Sequence, residues 1–173
     1  EALKSDYDGY IIATPAATHF EIAKKIISHK KSLLIEKPMT LSVSHAKTLV
    51  KLAKESNVSM MVGHVLLFHP AIRKIKEIID SGEIGKLQYI YSNRLNLGKI
   101  RTEEDVFWSL APHDISIFQY FTGLSPISIN AIGSTFIQKG IYDSTLTTIS
   151  YRKSIRCRNF YYSFWWKRDC YVW

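Results

Sequence analysis

Over its first 64 residues the chain repeats one pattern: a short apolar run, a stop signal, then an amphipathic helix. GYIIAT at 9–14 is halted by Pro15, and THFEIAKKIISH at 18–29 then sets Phe20, Ile22, Ala23, Ile26 and Ile27 at helical spacing. SLLIE at 32–36 runs into Lys37-Pro38, and LSVSHAKTLVKLAKES follows with helical periodicity and Ser42 as its N-cap. VSMMVGH at 58–64 is a third apolar run. Continuous apolar strands that alternate with helices predict a parallel α/β sheet, with strands buried on both faces.

After Gly63 the texture changes. Pro70 opens a helix through AIRKIKEIIDSGEIG, with Ile72, Ile75, Ile78 and Ile79 on one face and Gly82 as its stop. KLQYIYSNRLNL alternates Leu87, Tyr89 and Tyr91 on one side, which predicts a half-exposed antiparallel strand. A further helix is expected in APHDISIFQYFTG, ending at Gly123, and SPISINAIGSTFIQ and STLTTISYR read as β-rich. The chain thus divides into a parallel α/β part over residues 1–64 and an α+β part with an antiparallel sheet over residues 65–173.

Hydrophobic residues make up 46% of the 173, which is ample for a buried core. The net charge of +8 raises nucleic acid or an anionic surface as partners, but the excess is local. Residues 151–173 carry six basic side chains against Asp169 alone, and eight of the last fourteen residues are aromatic. That stretch is too aromatic for one strand to bury and stands apart as an aberrant tail. It reads either as a shifted end of the gene or as an aromatic-basic surface that stacks on bases. Cys157 and Cys170 both lie there, without metal-ligand spacing. No run reaches the roughly 20 apolar residues a bilayer span needs, and EALKSDYDGY lacks the order of a signal peptide. A cytoplasmic protein with no membrane partner is expected, and a start in mid-pattern without methionine reads as a piece of something longer.

Ligands of open α/β sheets bind beyond the carboxyl ends of the strands, so the loops ATPAATH at 13–19 and EKPMT at 36–40 hold the first candidates. Thr14 and Pro15 make a stiff loop able to approach a planar ring, or an ordinary strand-to-helix turn. Lys37, just past a buried strand, is partly desolvated and can exchange a proton, with Glu36 to orient it and Pro38 to fix the backbone; the alternative is a solvated charge pair. In FWSLAPHDISIF, His113 follows a proline at a helix start as a candidate general acid or base, with Asp114 to orient it or to cap the helix. His64 and His69 have no cysteine or carboxylate at ligand spacing and read as structural, and no metal is expected. His29 and His45 fall on exposed helix faces.

The order DGYIIATPAATH, LLIEKPMTLS, MMVGHVLLFHPA and APHDI resembles the Gfo/Idh/MocA family of NAD(P)-dependent oxidoreductases over residues 7–150. The wording of VLLFHPA and WSLAPHDI is most similar to members that act on sugar nucleotides. The resemblance implies a Rossmann-like sheet, of which this chain holds the C-terminal half, followed by an incomplete second domain. It implies that Lys37 lies near the nicotinamide and the reacting carbon, with Glu36 at the nicotinamide ribose and Thr14, Pro15 and His19 on the cofactor side. His113 would face that corner across a domain interface and take the hydroxyl proton as hydride leaves for NAD or NADP. Arg94, Asn96 and Asp114 would hold the substrate, and the full-length member would be a homo-oligomer through the open face of its second sheet. Ser109 departs from the aspartate that many members carry four residues before the histidine, and a serine supplies no charge to tune His113. None of the eight glycines forms the G-x-G-x-x-G phosphate loop, so weak dinucleotide binding by this chain is expected. The reading is a hydride-transferring oxidoreductase for a secondary hydroxyl of a sugar or sugar nucleotide, against a non-catalytic sugar-binding or scaffold remnant.

Overall fold

The computed structural model describes residues 3, 5, 7–95, 104–152 and 156–162. They form two compact units that meet in sequence between Val65 and Leu66.

In the first unit, β1 (Gly9–Ile12), β2 (Ser32–Ile35) and β3 (Met60–Val62) form a parallel sheet in that order, with Ile12 opposite Ile35 and Ile35 opposite Val62. Crossovers α1 (His19–Ser28) and α2 (Val43–Glu55) make the parallel pairing possible, since parallel strands cannot be joined by a tight turn. Ile12, Leu33 and Ile35 bury one face of the sheet against Ala23, Ile26 and Ile27 of α1 and Leu49 and Ala53 of α2. The expectation of strands buried on both faces is corrected: Ile11 and Met61, on alternate positions, are 72% and 48% exposed. A continuous apolar run does not say which face a neighbour covers. Ser42 occupies the N-cap position of α2, but its hydroxyl bonds Ser44 Oγ at 2.7 Å and caps no backbone amide.

The second unit begins with α3 (Pro70–Ser81), whose first turn is capped by the His69 ring accepting from the Ala71 amide and whose end is Gly82 in the left-handed region. β4 (Tyr89–Leu95), β5 (Pro126–Ser134), β6 (Ser144–Tyr151) and β7 (Arg156–Tyr162) make one four-stranded sheet in the order β4-β7-β6-β5. β5, β6 and β7 are antiparallel, as expected for this sheet, but β4 is not: it pairs in parallel with β7, Tyr89 opposite Arg156. The alternation in β4 records half-exposure, which parallel and antiparallel edge strands share. Residues 156–162, read as part of an aberrant tail, are the interior strand that joins β4 to β6. The stretch 163–173 lies outside the described residues.

Helix α4 (Val106–Thr122) packs on one face of this sheet, where Ile117 and Phe118 meet Ile149, Tyr151 and Cys157. It starts earlier than the sequence predicts. Asp105 is the N-cap, its carboxylate accepting from the Trp108 amide at 2.9 Å, and Pro112 lies inside the helix. Proline normally opens or breaks a helix; here it forfeits one backbone hydrogen bond within a helix already begun.

Candidate active site

Three loops leave the carboxyl edge of the parallel sheet, and backbone bonds fix where each departs. The Glu36 amide donates to Ile12 O at 2.9 Å and the Gly63 amide to Ile35 O at 2.7 Å, so each ladder continues one residue past its strand. Glu36 then folds its carboxylate back over Gly63. A Cβ built on Gly63 would lie 3.2 Å from both carboxylate oxygens, so this glycine is there for close approach. The Lys37 amide donates to the same carboxylate at 3.3 Å, and the Lys37–Pro38 peptide is cis.

Across the sheet edge, Thr14 and Pro15 are exposed. Thr18 donates its hydroxyl to Pro15 O at 2.8 Å, so the 2.7 Å contact between the two threonine hydroxyls is a bond from Thr14. His19 opens α1 and is buried at 1% exposure, with Nε2 2.8 Å from Thr14 O and Nδ1 2.9 Å from Pro38 O. The structure therefore brings Thr14, Pro15, His19, Glu36 and Lys37 together at one edge. His64 follows β3 at that edge. Burial pushes its imidazole below the ordinary 6.5, and its Nδ1 has no hydrogen-bond partner among the described residues.

In the second unit His113 lies half-buried two turns into α4, not at a helix start. Asp114 neither caps the helix nor turns to its neighbour: it is 3% exposed and accepts from Arg94 Nε of β4 at 2.8 Å. Arg94 and Asp114 are thus one unit, the carboxylate anchoring the guanidinium from behind. Asn96 lies outside the described residues. Ser109, one turn before His113 on the same helix, donates to Glu104 Oε1 at 2.6 Å. Sequence reasoning passed over Glu104, although its place just ahead of the Asp105 cap was a signal. A carboxylate does reach this face of the helix, supplied through a serine.

The first unit offers a cation and a carboxylate at the mouth of a parallel sheet, and the second a half-buried histidine on α4 and an arginine of β4 anchored by Asp114. Among the described residues no group of three histidine, cysteine, aspartate or glutamate side chains is placed to hold a metal, and no helix is long and apolar enough to cross a membrane.

Comparison with known proteins bears on both units. The model of the oxidoreductase family with an NAD-binding Rossmann fold matches residues 1–64, and that of the GFO/IDH/MocA C-terminal domain matches residues 72–169. The chain is 32% identical over 134 residues to UDP-N-acetylglucosamine 3-dehydrogenase of Acidithiobacillus ferrooxidans, covering 77% of this chain and 42% of that protein. It is also 32% identical over 154 residues to the NAD(+)-dependent scyllo-inositol 2-dehydrogenase of Bacillus subtilis, covering 83% of this chain and 45% of the relative. It thus spans less than half the length of these relatives. The solved structure of the Acidithiobacillus enzyme superposes with a TM-score of 0.83 at 26% identity, over 95% of this chain and 51% of that one. With the C-terminal-domain model alone matching more than half of its residues, the chain belongs to the GFO/IDH/MocA family of oxidoreductases.

Proposed function

We propose that the protein carrying this chain is an NAD(P)-dependent dehydrogenase that oxidises a secondary hydroxyl of a sugar or sugar nucleotide to a ketone. The observation that carries the reading is the corner at the carboxyl edge of the parallel sheet, where Glu36, Lys37 and cis Pro38 are held by the Gly63 close approach and by His19. Those residues fit the nicotinamide end of a dinucleotide: the cradle over Gly63 is already filled by a carboxylate suited to a ribose hydroxyl. The bound cofactor supplies the hydride acceptor. Thr14 and Pro15 would border its place, and Glu36 would accept from a ribose hydroxyl.

Lys37 stabilises the alkoxide that develops at the substrate carbon, and His113 accepts the hydroxyl proton. Arg94, with its Nε committed to Asp114, offers its terminal nitrogens to an anionic or amide group of the substrate, and Asn96 adds a hydrogen bond. A cytoplasmic location accords with the unpaired, buried Cys157. The full-length protein is a homo-oligomer through the sheet face opposite α4, which carries Tyr89 at 72% and Leu95 at 68% exposure.

The test is NADH or NADPH formation by the in-frame protein that contains these residues, with UDP-N-acetylglucosamine and scyllo-inositol as substrates. Lys37→Met and His113→Ala are each expected to lower kcat by about 100-fold or more. Full turnover by either variant would remove that residue from the chemistry. No turnover by the wild-type protein on any cyclic polyol or sugar nucleotide would leave the non-catalytic reading.

A further inference from the structure

The histidine at the mouth of α1 is spent in an unusual way. His19 is 1% exposed, and its two ring nitrogens both stand within 2.9 Å of backbone carbonyls, Nε2 at Thr14 O and Nδ1 at Pro38 O. Carbonyl oxygens only accept, so the ring is the donor on either side; a neutral imidazole has one N–H to give and a protonated one has two. Either way no polar edge of the ring is left for a cofactor. The two carbonyls belong to different loops, one leaving β1 and one leaving β2 just after Lys37. A phenylalanine would fill the volume as well, so the hydrogen bonds are what the imidazole adds.

We infer that His19 is a positioning residue that ties the Thr14-Pro15 loop to the Lys37-Pro38 loop through its two ring nitrogens. It sets the spacing of the two loops without touching the ligand between them. The tie rests on the observed bonds alone; only its service to catalysis rests on the proposed dehydrogenase reading.

The wild-type chain, labelled with 15N, decides the first point by long-range nitrogen–proton correlation. Two slowly exchanging ring protons on His19, one with cross-relaxation to Thr14 and one to Pro38, support the tie; a single one bonds only one loop and overturns it. Absence of any protected ring proton overturns it as well. Hydrogen exchange in His19→Gln and His19→Phe then reads the positioning. The Lys37 and Thr18 amides are expected to exchange about ten-fold faster, the loss of one hydrogen bond, while the Leu33 and Gly63 ladder amides hold. A uniform change across the unit, or none, is the result of a merely structural ring and overturns the inference. Should the variants fail to fold, the wild-type spectrum still decides. A wild-type protein with no dehydrogenase turnover would sink the dehydrogenase role and leave the His19 spectrum as it is.

Discussion

Cys157 is fully buried beneath α4, and burial pushes its thiol up to about 11, partly offset by a backbone hydrogen bond from Ile90. From an ordinary 9.0 this removes roughly 99% of the thiolate at neutral pH. Iodoacetamide at pH 8 should therefore leave Cys157 unlabelled in the folded chain and label it in urea, as read by peptide mass spectrometry. His64 makes a pH prediction. Its folded value lies below its unfolded one, so above 6.5 both states are neutral and nothing is lost. As pH falls below 6.5 the unfolded state takes up the proton first and stability drops. Thermal melts should show this loss between pH 7 and 5, reduced in His64→Phe. Asp114→Ala removes a charge-assisted bond from Arg94 and should cost about 1.5–3 kcal/mol in urea unfolding, more than removal of an exposed pair such as Lys51 and Glu55. At this scale the candidate residues Glu36, Lys37 and His113 can be picked out from the sequence as charged or titratable groups in otherwise apolar surroundings. The pairs Arg94 with Asp114 and Glu104 with Ser109 cannot, because only the fold brings their members together.

The elements themselves were legible wherever periodicity is unopposed. β1, β2, β3, α1, α2 and α3 fall where the apolar spacing puts them, and Gly82 and Gly123 end their helices in the left-handed region. α4 starts earlier than its sequence suggests because Pro112 carries an opening signal, whereas the opening is Asp105, tied further by the Val106 amide donating to Tyr142 O at 2.9 Å. Asp105→Ala should therefore destabilise the second unit by about 1 kcal/mol, the usual worth of a cap, and Pro112→Ala should not loosen the helix start. The β5–β6 connection hides a second device that sequence spacing does not announce. Asp143 is buried and accepts from the Phe136 and Ile137 amides, each at 2.7 Å, folding the loop back on itself. Gly133 lets the Tyr142 ring close over β5: an added Cβ would meet ring carbon at 2.6 Å. Gly133→Ala should lower stability by about 1–3 kcal/mol as the ring is displaced, and chemical denaturation measures it.

Over the whole molecule, two separate cores each hold one kind of sheet, and the split between a parallel and a largely antiparallel architecture could be read from the change of texture after Gly63. Strand direction and order could not, since alternation within β4 says nothing of the neighbour that pairs with it. The face opposite α4 keeps Tyr89, Leu95 and Ile132 exposed, the last at 65%. If this face joins copies of the full-length protein, Tyr89→Glu with Ile132→Lys should shift sedimentation toward the monomer while leaving the melting temperature of the second unit within a few degrees. Unchanged sedimentation in an associating protein would place the interface elsewhere.

The parallel pairing of β4 with β7 also has a consequence in time. Tyr89 waits for Arg156, which leaves the ribosome roughly 67 residues later, or about 3–13 seconds at ordinary rates of synthesis. Through that interval β4 lacks β7, its neighbour among the described residues, while β1, β2 and β3 can already have paired. The nascent second unit therefore exposes an unpaired edge with tyrosines on it, and a chaperone that caps strand edges has its window there.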